Sequence, residues 1–242
     1  MTTLLVFGDS LAFHGPDGPH PADDPRLWPN LAAAALGGSA ELFAGFGWTA
    51  RDAYWSLVGD PRVWPVLPRA SVLVLGVGGM DTLPSPVPTY LREGIRYLHS
   101  DGVRRCVRSV YLRSVPYLAR VSRRVALPPE MSVRYLDRTL GAIRALRPSL
   151  PAVAVLPSVH RSTEYAGVHH GRAPAVRALR SWASESGVPL LDLADVVGDH
   201  VLSGQGNPDG IHWGWPGHEQ VGKAFAELIG PLLDRASPAS GG

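Results

Sequence analysis

Five short runs of the chain, residues 3–7, 40–43, 71–77, 152–156 and 189–193, are apolar at almost every position. A strand with one wet face alternates apolar and polar residues, so unbroken runs of this length read as strands covered on both faces. Helical spacing fills the intervals between them. Residues 27–36 are alanine-rich and stop at Gly37-Gly38, a helix-ending signal. Residues 131–146 put Val133, Leu136, Leu140, Ile143 and Leu146 on one helical face ahead of Pro148. Further helices are predicted over 89–98, 173–185 and 217–233. Strands alternating with helices specify a parallel sheet joined by right-handed crossovers. Catalytic groups on such a sheet belong at the carboxyl ends of its strands.

One interval is too long for this pattern. A βαβ unit needs about 30 residues, yet residues 78–151 separate the third and fourth strands. The surplus, residues 102–130, carries Arg104, Arg105, Arg108, Arg113, Arg120, Arg123 and Arg124, with no acidic residue between Asp101 and Glu130. Val103, Cys106, Val107 and Val110 recur at helical spacing, which predicts a helix at its start. The segment is expected to be a lid or insertion on a single catalytic domain of residues 1–235. Cys106 reads as a small buried apolar side chain. Residues 236–242 are expected to form a disordered tail.

Composition removes several classes of function. With 242 residues, 45% of them hydrophobic, the chain has the size and core of one globular domain. A net charge of +2 makes no case for a nucleic-acid binder, and no aromatic platform interleaves the arginines. A single cysteine excludes an internal disulfide framework and a cysteine-based zinc site. His160, His169 and His170 lack carboxylates at metal-ligand spacing, so no metal is expected. No run approaches the ~18 apolar residues that span a bilayer, and the first residues lack a basic leader. A cytoplasmic protein without stable membrane insertion is expected. Lys223 is the only lysine among 23 basic residues.

The candidate chemistry lies at the ends of the predicted strands. Gly8-Asp9-Ser10 closes the first, where a glycine permits the tight backbone that exposes a serine hydroxyl. Far along the chain, Asp209-Gly210-Ile211-His212 supplies a carboxylate and an imidazole. Their spacing lets Asp209 fold back onto His212 Nδ1, leaving Nε2 free to take a serine proton. Glycine-rich loops follow the second strand (Gly45, Gly47, Trp48) and the third (Gly78, Gly79, Met80, Asp81). Backbone amides at such loops can approach a developing oxyanion closely. Trp48, Trp213 and Trp215 flank these elements, suited to shielding an acyl intermediate or stacking on a sugar. His14 and His20 read as solvent-facing or substrate-side. His218 is a weaker alternative base, because Trp215 and not an aspartate stands three residues before it.

These four blocks resemble those of the SGNH, or GDSL, hydrolase superfamily over nearly the whole chain. The resemblance implies a three-layer α/β/α, flavodoxin-like fold with a central five-stranded parallel sheet. It also implies Ser10 as nucleophile, His212 as general base and Asp209 as its orienting partner, with oxyanion donation from the amides of Ser10 and Gly47. One departure stands out: Met80 replaces the family's oxyanion asparagine, and losing such a donor typically costs ~10²–10³ in rate. More narrowly, the opening Thr2 to Phe13, the Gly-Gly-Met-Asp variant and the ending Asp209 to Trp215 resemble the actinobacterial diglucosylglycerate octanoyltransferases of methylglucose lipopolysaccharide synthesis. That resemblance implies transfer of an octanoyl group from an acyl-coenzyme A co-substrate to a sugar hydroxyl of a glucosylglycerate, with no further cofactor. Asp9, Trp48, Met80, Asp81, Trp213, Trp215, Arg120, Arg123 and Arg124 are the expected substrate contacts, the arginines through forked contacts to phosphate or carboxylate. The alternatives are a carboxylester hydrolase using the same triad, and a catalytically dead carbohydrate- or lipid-binding module in which Met80 marks decay.

Overall fold

A computed structural model describes residues 1–87 and 94–236. Five strands, β1 (Thr2–Gly8), β4 (Gly38–Ala44), β5 (Val72–Gly76), β6 (Ala152–Leu156) and β7 (Leu190–Asp192), form one sheet in the order β4-β1-β5-β6-β7, and every pairing in it is parallel. This is the doubly wound, flavodoxin-like order. Two short antiparallel strands, β2 (His14–Gly15) and β3 (Gly18–Pro19), make a small ribbon in the loop after β1.

Successive side chains on a strand point to opposite faces, and here both faces are covered. Leu5, Phe7, Leu73, Leu75, Ala154 and Leu156 pack on one side beneath α2 (Ala50–Gly59), α4 (Pro129–Leu146) and α5 (Arg172–Ser186). Leu4, Val6, Val72, Val74, Val153 and Val155 pack on the other beneath α1 (Trp28–Ala35), α6 (Leu193–Ser203) and α7 (Trp215–Ala236). Three layers result, as expected. The two-sided cover is the physical reason that the strand sequences are unbroken apolar runs.

The helices α2 and α6 were not among the predicted elements. Each carries a local start signal: Thr49 and Asp52 form a reciprocal capping box at α2, and Asp192 caps α6 through the Ala194 amide. The helix predicted over 89–98 falls partly outside the described residues, and Ile95–Tyr97 is a single 3₁₀ turn. Of the expected tail, Ala236 closes α7, and residues 237–242 lie outside the described residues.

The arginine-rich surplus is a 21-residue helix, α3 (Asp101–Val121). It buries Val115 and Ala119 and packs near the turn Thr163–Tyr165 that follows β6, so it sits at the carboxyl end of the sheet. Several of its apolar positions are not core: Val110, Tyr117 and Val121 are 63%, 73% and 79% exposed. Cys106 is exposed as well, which corrects its reading as a buried residue. The helical spacing of Val103, Cys106, Val107 and Val110 was real, but it marks a solvent-facing stripe. After α3 the chain returns to the loop beyond β5, where Ser85 N–H donates to Arg124 O and Leu127 N–H donates to Asp81 O.

Trp28 and Phe225 stack 4.5 Å apart at 16° between α1 and α7, and Trp28 Nε1 donates to Leu11 O beside Ser10. Phe225→Ala should therefore lower stability by about 3–5 kcal/mol. The measurement is the urea midpoint, and a shift equivalent to less than ~1 kcal/mol would show that this layer does not carry the fold.

Candidate active site

The register of the sheet assembles the site. Gly8 lies level with Ala44 on one side and Gly76 on the other, so the loops after β1, β4 and β5 leave side by side. Ser10 opens a 3₁₀ turn in the first of them, capped by Asp9 Oδ1 accepting from Leu11 N–H at 2.9 Å. The tightness of this turn explains Gly8: a Cβ there would come within 2.7 Å of Ala12 Cβ.

The partner groups arrive from the opposite end of the chain. Asp209 Oδ1 accepts from the amides of Ile211 and His212 at 2.8 and 3.0 Å, while Oδ2 lies 2.5 Å from His212 Nδ1. His212 Nε2 lies 2.8 Å from Ser10 Oγ. A carboxylate can only accept, so Nδ1 carries the proton and Nε2 is free to accept the serine hydrogen. Burial works against ionisation of Asp209, but the hydrogen bonds from His212 and the two amides outweigh it and hold the carboxyl down at about 2. Hydroxyl, imidazole and carboxylate are thus linked in series, a geometry able to raise a serine nucleophile against a carbonyl carbon.

Asn207, which the sequence reasoning missed, ties this turn down. It accepts from Asp209 N–H through Oδ1 and donates through Nδ2 to Pro16 O at 2.7 Å, joining the His212 turn to the loop after Ser10. Its only sequence signal was an asparagine two residues before the aspartate, the spacing of a side-chain-capped turn.

Gly47, one of the expected oxyanion donors, has φ +68°, a conformation that favours glycine. The Met80 methyl lies beside it, 3.8 Å from where a Gly47 Cβ would stand. An apolar group therefore occupies the surroundings of Gly47 where the resemblance expects an amide donor. Trp48 is half-buried and folds back over Gly45, which has no room for a side chain.

Several expected substrate contacts have other positions. Trp213 is 1% exposed and belongs to the core under α7. Trp215 is half-buried against Gly15 and His20, with the Arg26 guanidinium 4.0 Å above its ring. Asp9 and Asp81 are both buried. Asp81 accepts from Ala50 N–H at the start of α2 and from the Ser132 hydroxyl of α4, so it fastens the third loop to two helices. Arg120, Arg123 and Arg124 are exposed at the end of α3. His218 is fully buried, accepting from Trp28 N–H and donating to His14 O, which makes it a structural link and no rival base. His169 Nε2 lies 2.7 Å from Thr82 Oγ1, and its ring 4.5 Å from that of His160. Among the described residues no three His, Cys, Asp or Glu side chains converge as a metal site requires, and no helix is long and apolar enough to cross a membrane.

Fold and site together are those of an acyl-transferring α/β enzyme. The chain belongs to the GDSL-like lipase/acylhydrolase family, which it matches over residues 6–220. It is 51% identical over 227 residues to a diglucosylglycerate octanoyltransferase of Mycolicibacterium hassiacum, covering 94% of both chains. It is 49% identical to the enzyme of that name from Mycobacterium tuberculosis, covering 93% of this chain and 91% of the relative. Among solved structures it resembles a lipase/acylhydrolase from Enterococcus faecalis, with a TM-score of 0.58 at 15% identity over the whole of both chains. That likeness is one of fold.

The buried carboxylates generate a pH prediction. Burial pushes Asp81 up to about 7, against the hydrogen bonds from Ser132 and Ala50, and the nearby charges of Asp9 and Asp52 push the same way. A carboxyl that titrates higher in the fold than its ordinary 3.8 favours the fold most below that value, and the advantage is lost as pH rises through about 7. Asp81→Asn should remove that loss, so the variant's melting temperature relative to wild type should be higher at pH 8 than at pH 5. Equal differences at the two pH values would show that the buried carboxyl does not titrate in this range.

Proposed function

We propose that this chain is a serine acyltransferase that moves an octanoyl group from octanoyl-coenzyme A to a sugar hydroxyl of diglucosylglycerate through an acyl-enzyme, in methylglucose lipopolysaccharide synthesis. The observation that carries the reading is the half-identity to two octanoyltransferases along almost the full length of each, joined to the series of Ser10, His212 and Asp209. The cytoplasmic location expected from the sequence goes with an acyl-coenzyme A donor.

In this reading His212 Nε2 takes the Ser10 proton as Oγ bonds to the thioester carbon. The tetrahedral oxyanion is held by the amides of Ser10 and Gly47. Collapse expels the coenzyme A sulfur, which takes the proton from His212, and leaves octanoyl-Ser10. A sugar hydroxyl then gives its proton to His212 and attacks the acyl carbon; as the second intermediate collapses, the bond to Ser10 Oγ breaks and Oγ takes that proton back from His212. Asp209 keeps the imidazole in the working tautomer and offsets its transient positive charge. A thiolate leaves far more readily than an alkoxide, so collapse of the first intermediate is the easier one; the second, formed on the Ser10 ester, meets the same Met80-bordered oxyanion site.

Hydrolysis is the competing outcome, since the family includes acylhydrolases and only the second nucleophile differs. The test follows free coenzyme A and free octanoate from octanoyl-coenzyme A with and without diglucosylglycerate. Acceptor-dependent release of coenzyme A without matching octanoate is expected; octanoate formed at the same rate regardless of acceptor would make the enzyme a hydrolase. Ser10→Ala and His212→Ala should each remove most turnover while the fold is retained, and the double variant should be scarcely worse than either.

The arginines give a second test. Arg120, Arg123 and Arg124 stand where α3 returns to the loop of Met80 and Asp81, and coenzyme A phosphates are the anions suited to them. Each productive contact is worth ~1.5–3 kcal/mol, or roughly ten- to a hundredfold in affinity. Replacing all three with alanine should raise the KM for octanoyl-coenzyme A at least tenfold and leave cleavage of neutral p-nitrophenyl octanoate within about twofold. Added salt should produce the same contrast. Unchanged octanoyl-coenzyme A kinetics would reduce these residues to a solvated surface.

A further inference from the structure

His14 lies flat on the candidate base: its ring centroid is 3.8 Å from that of His212 and the planes differ by 21°. The position is built from several sides. His14 Nδ1 donates to Gly15 O at 2.9 Å, and since a carbonyl only accepts, this fixes the ring's tautomer. The His14 carbonyl accepts from His218 Nε2, and His218 Nδ1 in turn accepts from Trp28 N–H at the start of α1. Phe46 meets the His14 ring edge-on at 5.8 Å, and Phe13 meets Phe46 at 4.9 Å. Together these contacts hold one imidazole face against His212.

We infer that His14 is a positioning residue for His212, whose neutral ring holds the base in plane and stabilises the imidazolium formed when the Ser10 proton is taken. The inference rests on the reading of Ser10 and His212 as nucleophile and base. The π-face of a neutral ring attracts a cation stacked on it, by ~0.5 kcal/mol at exposed sites and ~2 kcal/mol when desolvated. The ring must be neutral for this, because two imidazolium rings at this distance repel. Burial first, and then the charge of His212 and of His20, lower the affinity of His14 for a proton; the Gly15 carbonyl and Asp209 act in the opposite direction. The net direction is downward, so the surroundings favour the neutral form of His14. Asp209 is the carboxyl nearest the pair, Asp9 also interacts with the charge of His212, and Phe46 contributes no charge.

The experiment measures kcat/KM for p-nitrophenyl octanoate between pH 4.5 and 8.5, with thermal unfolding recorded for each variant. His14→Ala should lose about 2- to 30-fold at pH 8, which is the cation–π range converted at tenfold per 1.4 kcal/mol. His14→Phe keeps an aromatic face without a titrating group. It should recover most of that loss and show a shallower acid limb than wild type, in which protonation of His14 and of His212 both reduce activity. His14→Leu fills the same space without a π-face and should stay as low as the alanine variant. Should His14→Ala not fold, the comparison of phenylalanine with leucine decides alone. Equal activity for the phenylalanine and leucine variants, or an acid limb in both as steep as that of wild type, would overturn the inference and leave His14 a packing residue. His212→Ala run in parallel separates the two claims: if it retains activity, the assignment of the base is wrong, whatever His14 does.

Discussion

Gly8 of β1 lies level with Ala44 of β4 and Gly76 of β5, and from that shared register follows the placing of almost every group in the cleft. A slip of one residue would turn Leu5 and Phe7 from one layer to the other and drive Ser10 out of line with Gly47 and Met80. The slip is prevented because β1, in the middle of three paired strands, buries both faces completely: Leu4, Leu5, Val6 and Phe7 expose no surface. The hydrophobic layers therefore set the site's geometry, although no core side chain takes part in its chemistry. The His212 turn stands outside this register and is tied in separately, by Asn207 to Pro16 and by Arg161 N–H to Gly210 O.

Three carboxyl groups stand at the ends of these loops, and their surroundings give them different charges. Asp209 is partly exposed and receives three hydrogen bonds, two from amides and one from His212, so it remains ionised to about 2. Asp9 is wholly buried, and burial raises it to about 6 despite the Leu11 amide and the pull of His212. Asp81 is buried too and is raised further by the negative charge of Asp9. Hydrogen-bond supply and access to water, not residue type, select the one aspartate that can orient a base.

The oxyanion side of the cleft is less polar than the superfamily pattern implies, since Met80 sets a methyl group beside Gly47. The same loop is fastened at three points. Asp81 reaches α2 and α4, Thr82 reaches His169, and Leu83 O accepts from Ala126 N–H beyond α3. Gly171 presses on it as well, with no room for a Cβ between Thr82 O and Val125. The backbone around the missing donor is thus held firmly, and what changed at position 80 is the chemistry of one side chain on an anchored turn.

Much of this was legible in the chain itself. The five strands were unbroken apolar runs because both sheet faces are covered, and the parallel order followed from helices between them. Ser10, Asp209 and His212, which the structure brings together, could be picked out as candidates because Gly-Asp-Ser at a strand end and Asp-x-x-His are local patterns. Local patterns also misled. The apolar stripe of α3 and Cys106 have helical spacing, but spacing does not say which side of a helix meets the body, and this stripe meets water. Trp213 neighbours His212 in sequence yet points into the core, since adjacent residues on a turn diverge. His14 could be read only as solvent-facing or substrate-side, and Asn207 offered no more than a turn signal, because His212 and Pro16, the partners that matter, lie about two hundred positions away. Local chemistry and periodicity were the sequence's to determine; tertiary packing alone decided which face each side chain shows and what stands against it.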